Sequence, residues 1–121
     1  MALIVQKYGG TSVGDVERIQ GVARRVARYK EAGHDVVVVV SAMSGETNRL
    51  MALGQQIGGD KPLPRELDVL LSSGEQVTIA LLSMALMQLG VSAKSLLGDQ
   101  VAVHTDSAFG TARIERIDTQ T

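Results

Sequence analysis

Five consecutive valines, Val36-Val37-Val38-Val39-Val40, are the stretch of this 121-residue chain that says most about its fold. β-branched residues favour strands, and a short apolar run bounded by polar residues is predicted to be a strand. Successive side chains of a strand point to opposite faces, so valine at every position makes both faces apolar. Such a strand needs cover on both faces, which is typical of a central strand in a parallel sheet.

The segments before the valine run show a strand pattern and then a helix pattern. Residues 2–8 read as a buried first strand that two glycines close, and residues 15–32 carry apolar side chains at helical spacing. Asp15 lies near the positive end of the predicted helix dipole, and Gly33 supplies the stop. Strand, helix and strand therefore follow one another in the first third of the chain.

The segments after the valine run continue the alternation. Helices are predicted over residues 45–57, 64–71 and 75–89, and short strands over residues 93–97, 101–104 and 112–117. The helix over residues 75–89 is apolar on nearly all sides, so we expect it to be buried. This order is that of an α/β sandwich with a mainly parallel sheet. Residues 113–121 turn polar without a covering helix, so we expect at least one face of the sheet to lack cover.

Composition excludes several classes of function. The formal net charge is −1 and there are one Phe, two Tyr and no Trp, so neither a basic nucleic-acid surface nor a base-stacking surface is expected. The absence of cysteine excludes disulfides and thiol chemistry. His34 and His104 have no partner at metal-ligand spacing, so no metal site is predicted.

The start of the chain does not read as a secretory signal, and the most apolar stretch, residues 79–87, is far shorter than the roughly 20 residues of a membrane span. A cytoplasmic location without membrane contact is expected.

The first polar cluster, residues 7–12, lies between the first predicted strand and its helix, where open parallel sheets bind ligands. Gly9 and Gly10 allow a ligand to approach the backbone, and the helix start offers amide donors to an anion. Lys7 adds a compact positive charge of the kind that neutralises transferring phosphoryl oxygens. The alternative is an ordinary turn in which Ser12 caps the helix and Lys7 lies on the surface. Spacing alone does not separate the two.

Two further polar clusters follow at similar places. The hydroxyls and helix-start amides of residues 41–48 could hold a substrate carboxylate, although simple capping of the next helix is the favoured interpretation from sequence alone. In residues 72–76, serines stand three positions before Glu75 and Gln76, which is capping-box spacing. Helix capping alone can therefore explain this third cluster.

Four stretches, taken together and in order, carry a family resemblance: Val5-Gln6-Lys7-Tyr8-Gly9-Gly10-Thr11-Ser12-Val13, Val37-Val38-Val39-Val40-Ser41-Ala42-Met43-Ser44-Gly45-Glu46-Thr47-Asn48, Ser73-Gly74-Glu75-Gln76-Val77-Thr78 and, more weakly, Thr105-Asp106-Ser107-Ala108. They resemble the motifs of aspartate kinases in the amino acid kinase superfamily. The resemblance covers the whole chain. The family usually has Phe where this chain has Tyr8, a mild departure that should leave the loop intact.

The resemblance implies a reaction, its co-substrate and a set of site residues. The family transfers the γ-phosphoryl group of ATP, accompanied by Mg²⁺, to the side-chain carboxylate of L-aspartate, which gives 4-phospho-L-aspartate. This is the first step toward lysine, threonine and methionine, and a homo-oligomer is expected. By matching position, the implied site residues are Lys7, Tyr8, Gly9 and Gly10 in the ATP phosphate loop, with Lys7 as the catalytic cation, and Ser41, Thr47 and Glu75 in the aspartate site.

The resemblance also implies that much of the family's chain lies beyond these residues. Members continue into the nucleotide-base pocket, further catalytic residues and regulatory ACT domains. Residues 1–121 correspond to the amino-terminal portion of the catalytic domain, with no ACT domain. The fold expected is the three-layer αβα sandwich of amino acid kinases (carbamate kinase-like), incomplete in this chain, and the chain alone is expected to be inactive.

Two other functions remain open from the sequence. One is a sibling kinase of the same superfamily that acts on glutamate, carbamate or a nucleotide monophosphate. The other is a non-catalytic module that binds phosphate or serves in assembly. A panel of acceptor substrates separates the first alternative from an aspartate kinase, and titration with ATP and aspartate tests the second.

Overall fold

The computed structural model describes residues 2–97, 103–105 and 114–117. Its elements in chain order are β1 (Leu3–Tyr8), a 3₁₀ turn (Gly10–Val13), α1 (Val16–Glu31), β2 (Asp35–Val40), α2 (Glu46–Gly58), α3 (Pro64–Gln88), β3 (Val103–Thr105) and β4 (Ile114–Ile117).

The predicted strand–helix–strand unit at the start of the chain is confirmed. β1 and β2 pair in parallel, from Leu3 opposite Asp35 to Tyr8 opposite Val40, and α1 makes the crossover between them. A parallel connection needs a crossover of this kind because the chain must return to the same end of the sheet. β1 and β2 therefore end side by side, at the edge where both polar loops begin.

One face of this two-stranded sheet is buried under two helices. Tyr8 and Val40 project from the strands into the core, and the half-buried Val36 and Val38 pack against it. The remaining core residues come from the 3₁₀ turn, α1 and α3, namely Val13, Ile19, Val22, Ala23, Val26, Leu82 and Leu86. Burying a side chain of this size stabilises a fold by roughly 1.5–3 kcal/mol. This single apolar layer holds α1 and α3 against the sheet.

The opposite face of the sheet is open within the described residues. Leu3 and Val5 are 69% and 66% exposed, and Val37 and Val39 are 48% and 49% exposed. The expectation that the valine strand is covered on both sides is therefore not met by the described part of the chain, because α1 and α3 pack on the same face. The expectation that one face lacks cover agrees with the described residues and stays a prediction for the chain as a whole.

The start of α1 is defined by a side-chain cap. Asp15 has extended backbone angles, and its Oδ1 accepts a hydrogen bond of 2.8 Å from the backbone N–H of Arg18. The alternative in which Ser12 caps this helix is therefore wrong, because Ser12 lies inside the 3₁₀ turn. At the other end, Gly33 adopts φ +90°, the left-handed conformation that suits glycine after a helix.

We expect Asp15→Ala to lower the free energy of unfolding by about 1 kcal/mol, since it leaves an amide of the first turn without its acceptor. Asp15→Asn is the matched control, because asparagine caps helices as well as aspartate does. Urea denaturation followed by circular dichroism measures both variants. Equal losses for the two would mean that the carboxylate charge, and not the cap, stabilises the helix start.

α3 is one continuous helix of 25 residues, so the predicted break between residues 71 and 75 is wrong. The hydroxyls of Ser72 and Ser73 donate to the carbonyls of Val69 and Leu70, at 2.9 and 2.6 Å. Serine can form such bonds inside a helix, where it then caps nothing. The capping-box interpretation of residues 72–76 is therefore also wrong.

The prediction that the second half of α3 is buried on all sides is wrong as well. Val77 is 50% exposed and Met84 is 62% exposed, because α1 and α2 contact α3 on only part of its circumference. By length and composition alone α3 could cross a membrane. The apolar stretch of residues 79–87 is too short to predict this by itself. A helix that packs in the core of a domain passes the same test, and α3 contributes Leu82 and Leu86 to the core described above.

The last third of the chain departs from the predicted strand order. Residues 93–97 form no strand, although residues 91–96 line a cleft of about 560 Å³ along β2. β3 and β4 overlap the strands predicted over residues 101–104 and 112–117. They pair antiparallel with each other as a second two-stranded sheet, so they do not extend the parallel sheet of β1 and β2. The match at residues 106–108 lies outside the described residues.

Candidate functional site

The three polar clusters meet at the carboxyl edge of the β1–β2 sheet. The backbone N–H of Ser41 donates to the carbonyl of Tyr8 at 3.2 Å, which joins the ends of the two strands. A Cβ built on Gly10 would lie 3.2 Å from the carbonyl oxygen of Ala42, and one built on Gly74 would lie 2.8 Å from the Cβ of Ala42. The loop after β2 is therefore in contact with the first loop on one side and with α3 on the other.

The first loop is compact and anchored in the core. The N–H of Ser12 donates to the carbonyl of Gly9 at 3.0 Å, and Val13 is fully buried below the turn. Arg18 Nη1 donates to the carbonyl of Thr11, which ties the turn to α1. No atom comes within 4 Å of a Cβ built on Gly9, so this part of the loop is accessible to a ligand.

Lys7 and Tyr8 face opposite sides of β1. The side chain of Tyr8 is buried, and its hydroxyl donates to Gln6 Oε1 at 2.8 Å. Only the backbone of Tyr8 is therefore available to a ligand. Lys7 is exposed on the open face of the sheet and forms no ion pair within the described residues. Its ammonium group is free to meet an anion at the end of the strand.

The loop between β2 and α2 does not cap its helix with a side chain. Gly45 stands at the N-cap position with φ +80°, and no side-chain hydrogen bond closes the helix start. The interpretation of residues 41–48 as a simple cap is therefore wrong, because the left-handed glycine makes the turn by itself. Ser41 is half-buried and Thr47 is exposed in the first turn of α2. Both hydroxyls remain available for a role other than capping.

Glu75 lies on an exposed position of α3, beside the end of β2. It lines a cleft of about 380 Å³ together with Val39, Val40 and Leu96. Val39 is also the register partner of Lys7, so Lys7 lies next to a strand residue that lines this cleft. Ser41 and Thr47 are not among the residues that line this cleft. The structure thus brings the predicted residues to one edge without enclosing them in a single pocket.

An ion pair beside the loop was not singled out from the sequence. Both Glu46 carboxylate oxygens accept hydrogen bonds from Nε of Arg49, at 3.2 and 3.1 Å, and Nη2 of Arg49 adds a third contact. The hydrogen bonds from Arg49 hold the pKa of Glu46 below its usual value. The spacing of three residues on a helix was the available signal for this pair. The Glu46 side chain lies over Gly74, with its Cγ 3.6 Å from a Cβ built there.

No metal centre is formed by the described residues, among which no three His, Asp or Glu side chains come together at a position where they could hold an ion. Nδ1 of His34 accepts a hydrogen bond of 3.1 Å from the backbone N–H of Ala2. His34 thus ties the start of β1 to the turn before β2, at the end of the sheet away from the polar loops.

Comparison with known sequences gives matches along the whole chain. Residues 2–121 match the model of the Amino acid kinase family. The chain is 67% identical over 118 residues to an aspartokinase of Pseudomonas aeruginosa and 54% identical over 114 residues to an aspartokinase of Thermus thermophilus. These alignments cover 98% and 94% of this chain, but 28% of each relative. The chain therefore spans little more than a quarter of the length of these curated relatives.

Comparison with solved structures gives the same assignment of fold. An aspartate kinase from Synechocystis matches with a TM-score of 0.78 at 58% identity, covering 82% of this chain and 17% of that one. E. coli aspartokinase III, solved in complex with aspartate and ADP, matches with a TM-score of 0.80 at 21% identity, covering 93% of this chain and 35% of that one. At that identity the second match bears on the fold alone.

Proposed function

Since the chain belongs to the amino acid kinase family, we propose that it is the amino-terminal part of an aspartate kinase. The observation that carries this proposal is the meeting of the three polar clusters at one sheet edge, in a chain 67% identical to an aspartokinase. We call the longer chain that this proposal implies the parent protein.

In the proposed site, the first loop holds the phosphates of ATP. The accessible backbone at Gly9, followed by the half-buried Gly10, suits contacts with phosphate oxygens, and Lys7 adds a charge that can neutralise them. Tyr8 contributes through its backbone only, because its ring is in the core. These assignments rest on matching positions and on exposure.

In the same proposal, Ser41, Thr47 and Glu75 hold the amino acid. The hydroxyls of Ser41 and Thr47 can donate to a carboxylate, and Glu75 can accept from the substrate ammonium group. The E. coli relative that shares the fold is solved with aspartate and ADP, so these are the ligands to test first. The loss of both capping explanations, for residues 41–48 and for residues 72–76, supports roles for these side chains outside helix capping.

The proposed reaction requires little acid–base chemistry from the protein. An oxygen of the aspartate side-chain carboxylate attacks the γ-phosphorus of ATP, the bond from that phosphorus to the bridging oxygen breaks, and ADP leaves with the electron pair. Because a carboxyl group with a reference pKa of about 3.9 is already ionised at neutral pH, no strong general base is needed. The protein has to bring two anions together and stabilise the charge that develops.

We propose that Mg²⁺ enters with ATP. The described residues contain no carboxylate or histidine cluster that would hold the ion by itself, so the phosphates of ATP would bring it into the site. The proposal extends to a cytoplasmic, homo-oligomeric parent protein that acts at the start of lysine, threonine and methionine synthesis. We propose this location, oligomeric state and pathway on the basis of the family resemblance.

A coupled assay of aspartate-dependent ADP release tests the proposal in the parent protein. We expect turnover with L-aspartate and none without it, and residues 1–121 alone are expected to be inactive because they carry only part of the site. Release of ADP with glutamate, carbamate or a nucleotide monophosphate in place of aspartate would indicate a sibling kinase. If the parent protein neither turned over nor bound ATP and aspartate by calorimetry, it would be a non-catalytic module.

A further inference from the structure

Gly74 is an unusual residue for its place in the fold. It lies near the middle of α3, where glycine destabilises a helix relative to alanine. Its backbone does not need glycine, because it is not among the described glycines with positive φ, which are Gly33, Gly45, Gly59 and Gly90. It is also buried. A reason other than backbone conformation must favour the missing side chain at this position.

The close approach of the loop after β2 supplies that reason. A Cβ built on Gly74 would lie 2.8 Å from the Cβ of Ala42, whereas two carbon atoms are normally separated by about 3.5–4.0 Å. Ala42 is itself 4% exposed. On its other side, the Ala42 carbonyl oxygen is 3.2 Å from a Cβ built on Gly10, so the first loop also approaches Ala42 closely. The loop after β2 lies between two glycines.

The two contacting residues stand next to two residues of the proposed aspartate site. Ala42 follows Ser41, and Gly74 precedes Glu75. The contact between Ala42 and Gly74 therefore sets how closely the loop that carries Ser41 approaches the helix that carries Glu75. A methyl group at position 74 has to push the loop and the helix apart by on the order of 1 Å to restore an ordinary contact distance.

We propose that Gly74 is a positioning residue, which fixes the separation of Ser41 and Glu75 by allowing α3 to contact Ala42 directly. The proposal rests on the proposed aspartate kinase function. A displacement of about 1 Å at a reacting centre can lower a rate by as much as 10²-fold. Because the strain is shared between loop and helix, the expected loss is smaller than this limit.

The experiment measures Gly74→Ala in the full-length parent protein. We expect the KM for aspartate to rise about fivefold while the KM for ATP stays within about twofold, since the three atoms nearest to a Cβ at position 74 belong to Ala42, Leu50 and Glu46 and none belongs to the first loop. The second-site variant Ala42→Gly removes the methyl group that the new side chain meets. We expect Gly74→Ala with Ala42→Gly to return the KM for aspartate to within about twofold of the wild type.

Gly21→Ala is the matched control, because Gly21 also lies inside a helix and a Cβ there meets only Nη2 of Arg24, at 3.7 Å. It should leave both Michaelis constants unchanged. Unaltered aspartate kinetics in Gly74→Ala would overturn the proposal, as would a double variant that is not rescued. If Gly74→Ala alone does not fold, the double variant must fold and act, and its failure overturns the proposal. If the wild type is active and either of these results is found, only the role proposed for Gly74 is overturned. An inactive wild type overturns the proposed function and this inference with it.

Discussion

Lys7→Ala in the parent protein should lower kcat by on the order of 10²-fold or more, with little change in melting temperature. Lys7 is the next-to-last residue of β1, close to the accessible Gly9, and its exposed ammonium group forms no ion pair in the described part of the chain. Its removal should therefore take away little that stabilises the fold. In the proposed reaction, the substitution removes the lysine charge that lies near the phosphoryl group, at the stage where negative charge spreads over the phosphoryl oxygens.

Lys61→Ala is the control for Lys7→Ala, since Lys61 is an exposed lysine in the turn between α2 and α3. Steady-state kinetics of both variants should show a loss for Lys7→Ala alone. Lys7→Arg keeps the charge but changes its shape and reach, so we expect it to retain only part of the activity. A kcat for Lys7→Ala within a few-fold of the wild type would leave Lys7 as a surface residue.

Glu75→Gln in the parent protein should raise the KM for aspartate by roughly tenfold or more, a loss of about 1.4 kcal/mol if binding is what is lost. The ammonium group of the substrate forms a charge-assisted hydrogen bond with a carboxylate, and such bonds are about twice as strong as neutral ones. Glutamine keeps the shape of the side chain and loses the charge. Because Glu75 lies inside α3 and caps no helix, the melting temperature should be nearly unchanged.

Glu66→Gln provides the control for Glu75→Gln on the same helix. Glu66 lies in the first turn of α3, where its exposed carboxylate accepts a hydrogen bond of 2.8 Å from Nη1 of the neighbouring Arg65. We expect normal kinetics for Glu66→Gln, and a normal KM for ATP in both variants. A lower melting temperature for Glu75→Gln with unchanged aspartate kinetics would assign Glu75 a structural role.

The first third of the fold could be predicted from local patterns. β1 and β2 are short apolar runs, α1 has apolar residues at helical spacing, and Gly33 stops α1 in the left-handed conformation that a terminal glycine favours. Because α1 is the crossover of a parallel pair, the polar residues after both strands had to meet at one edge. The candidate loops could therefore be located from the sequence pattern alone. The roles of their side chains stay predictions.

The break predicted in α3 shows where local patterns fail. Ser72, Ser73 and Gly74 are residues that often begin or end helices, and the sequence offered no sign that they continue one. In the fold, the two serine hydroxyls bond back to carbonyls of the preceding turn, and Gly74 lies where the helix touches Ala42. The reason for a glycine at this position is a contact with a residue 32 positions earlier in the chain, so no window of local sequence contains it.

Sequence by itself determined the α/β class, the position of the loops that follow β1 and β2, and the family. These depend on side-chain periodicity, on glycine conformation and on matched motifs, all of which are properties of neighbouring residues. Only the tertiary structure decided which face of the valine strand is covered, that α3 is continuous, and that the loop at Ala42 lies between Gly10 and Gly74. Those outcomes depend on how helices pack on a sheet, and the free energy of that packing comes from contacts between residues that are distant along the chain.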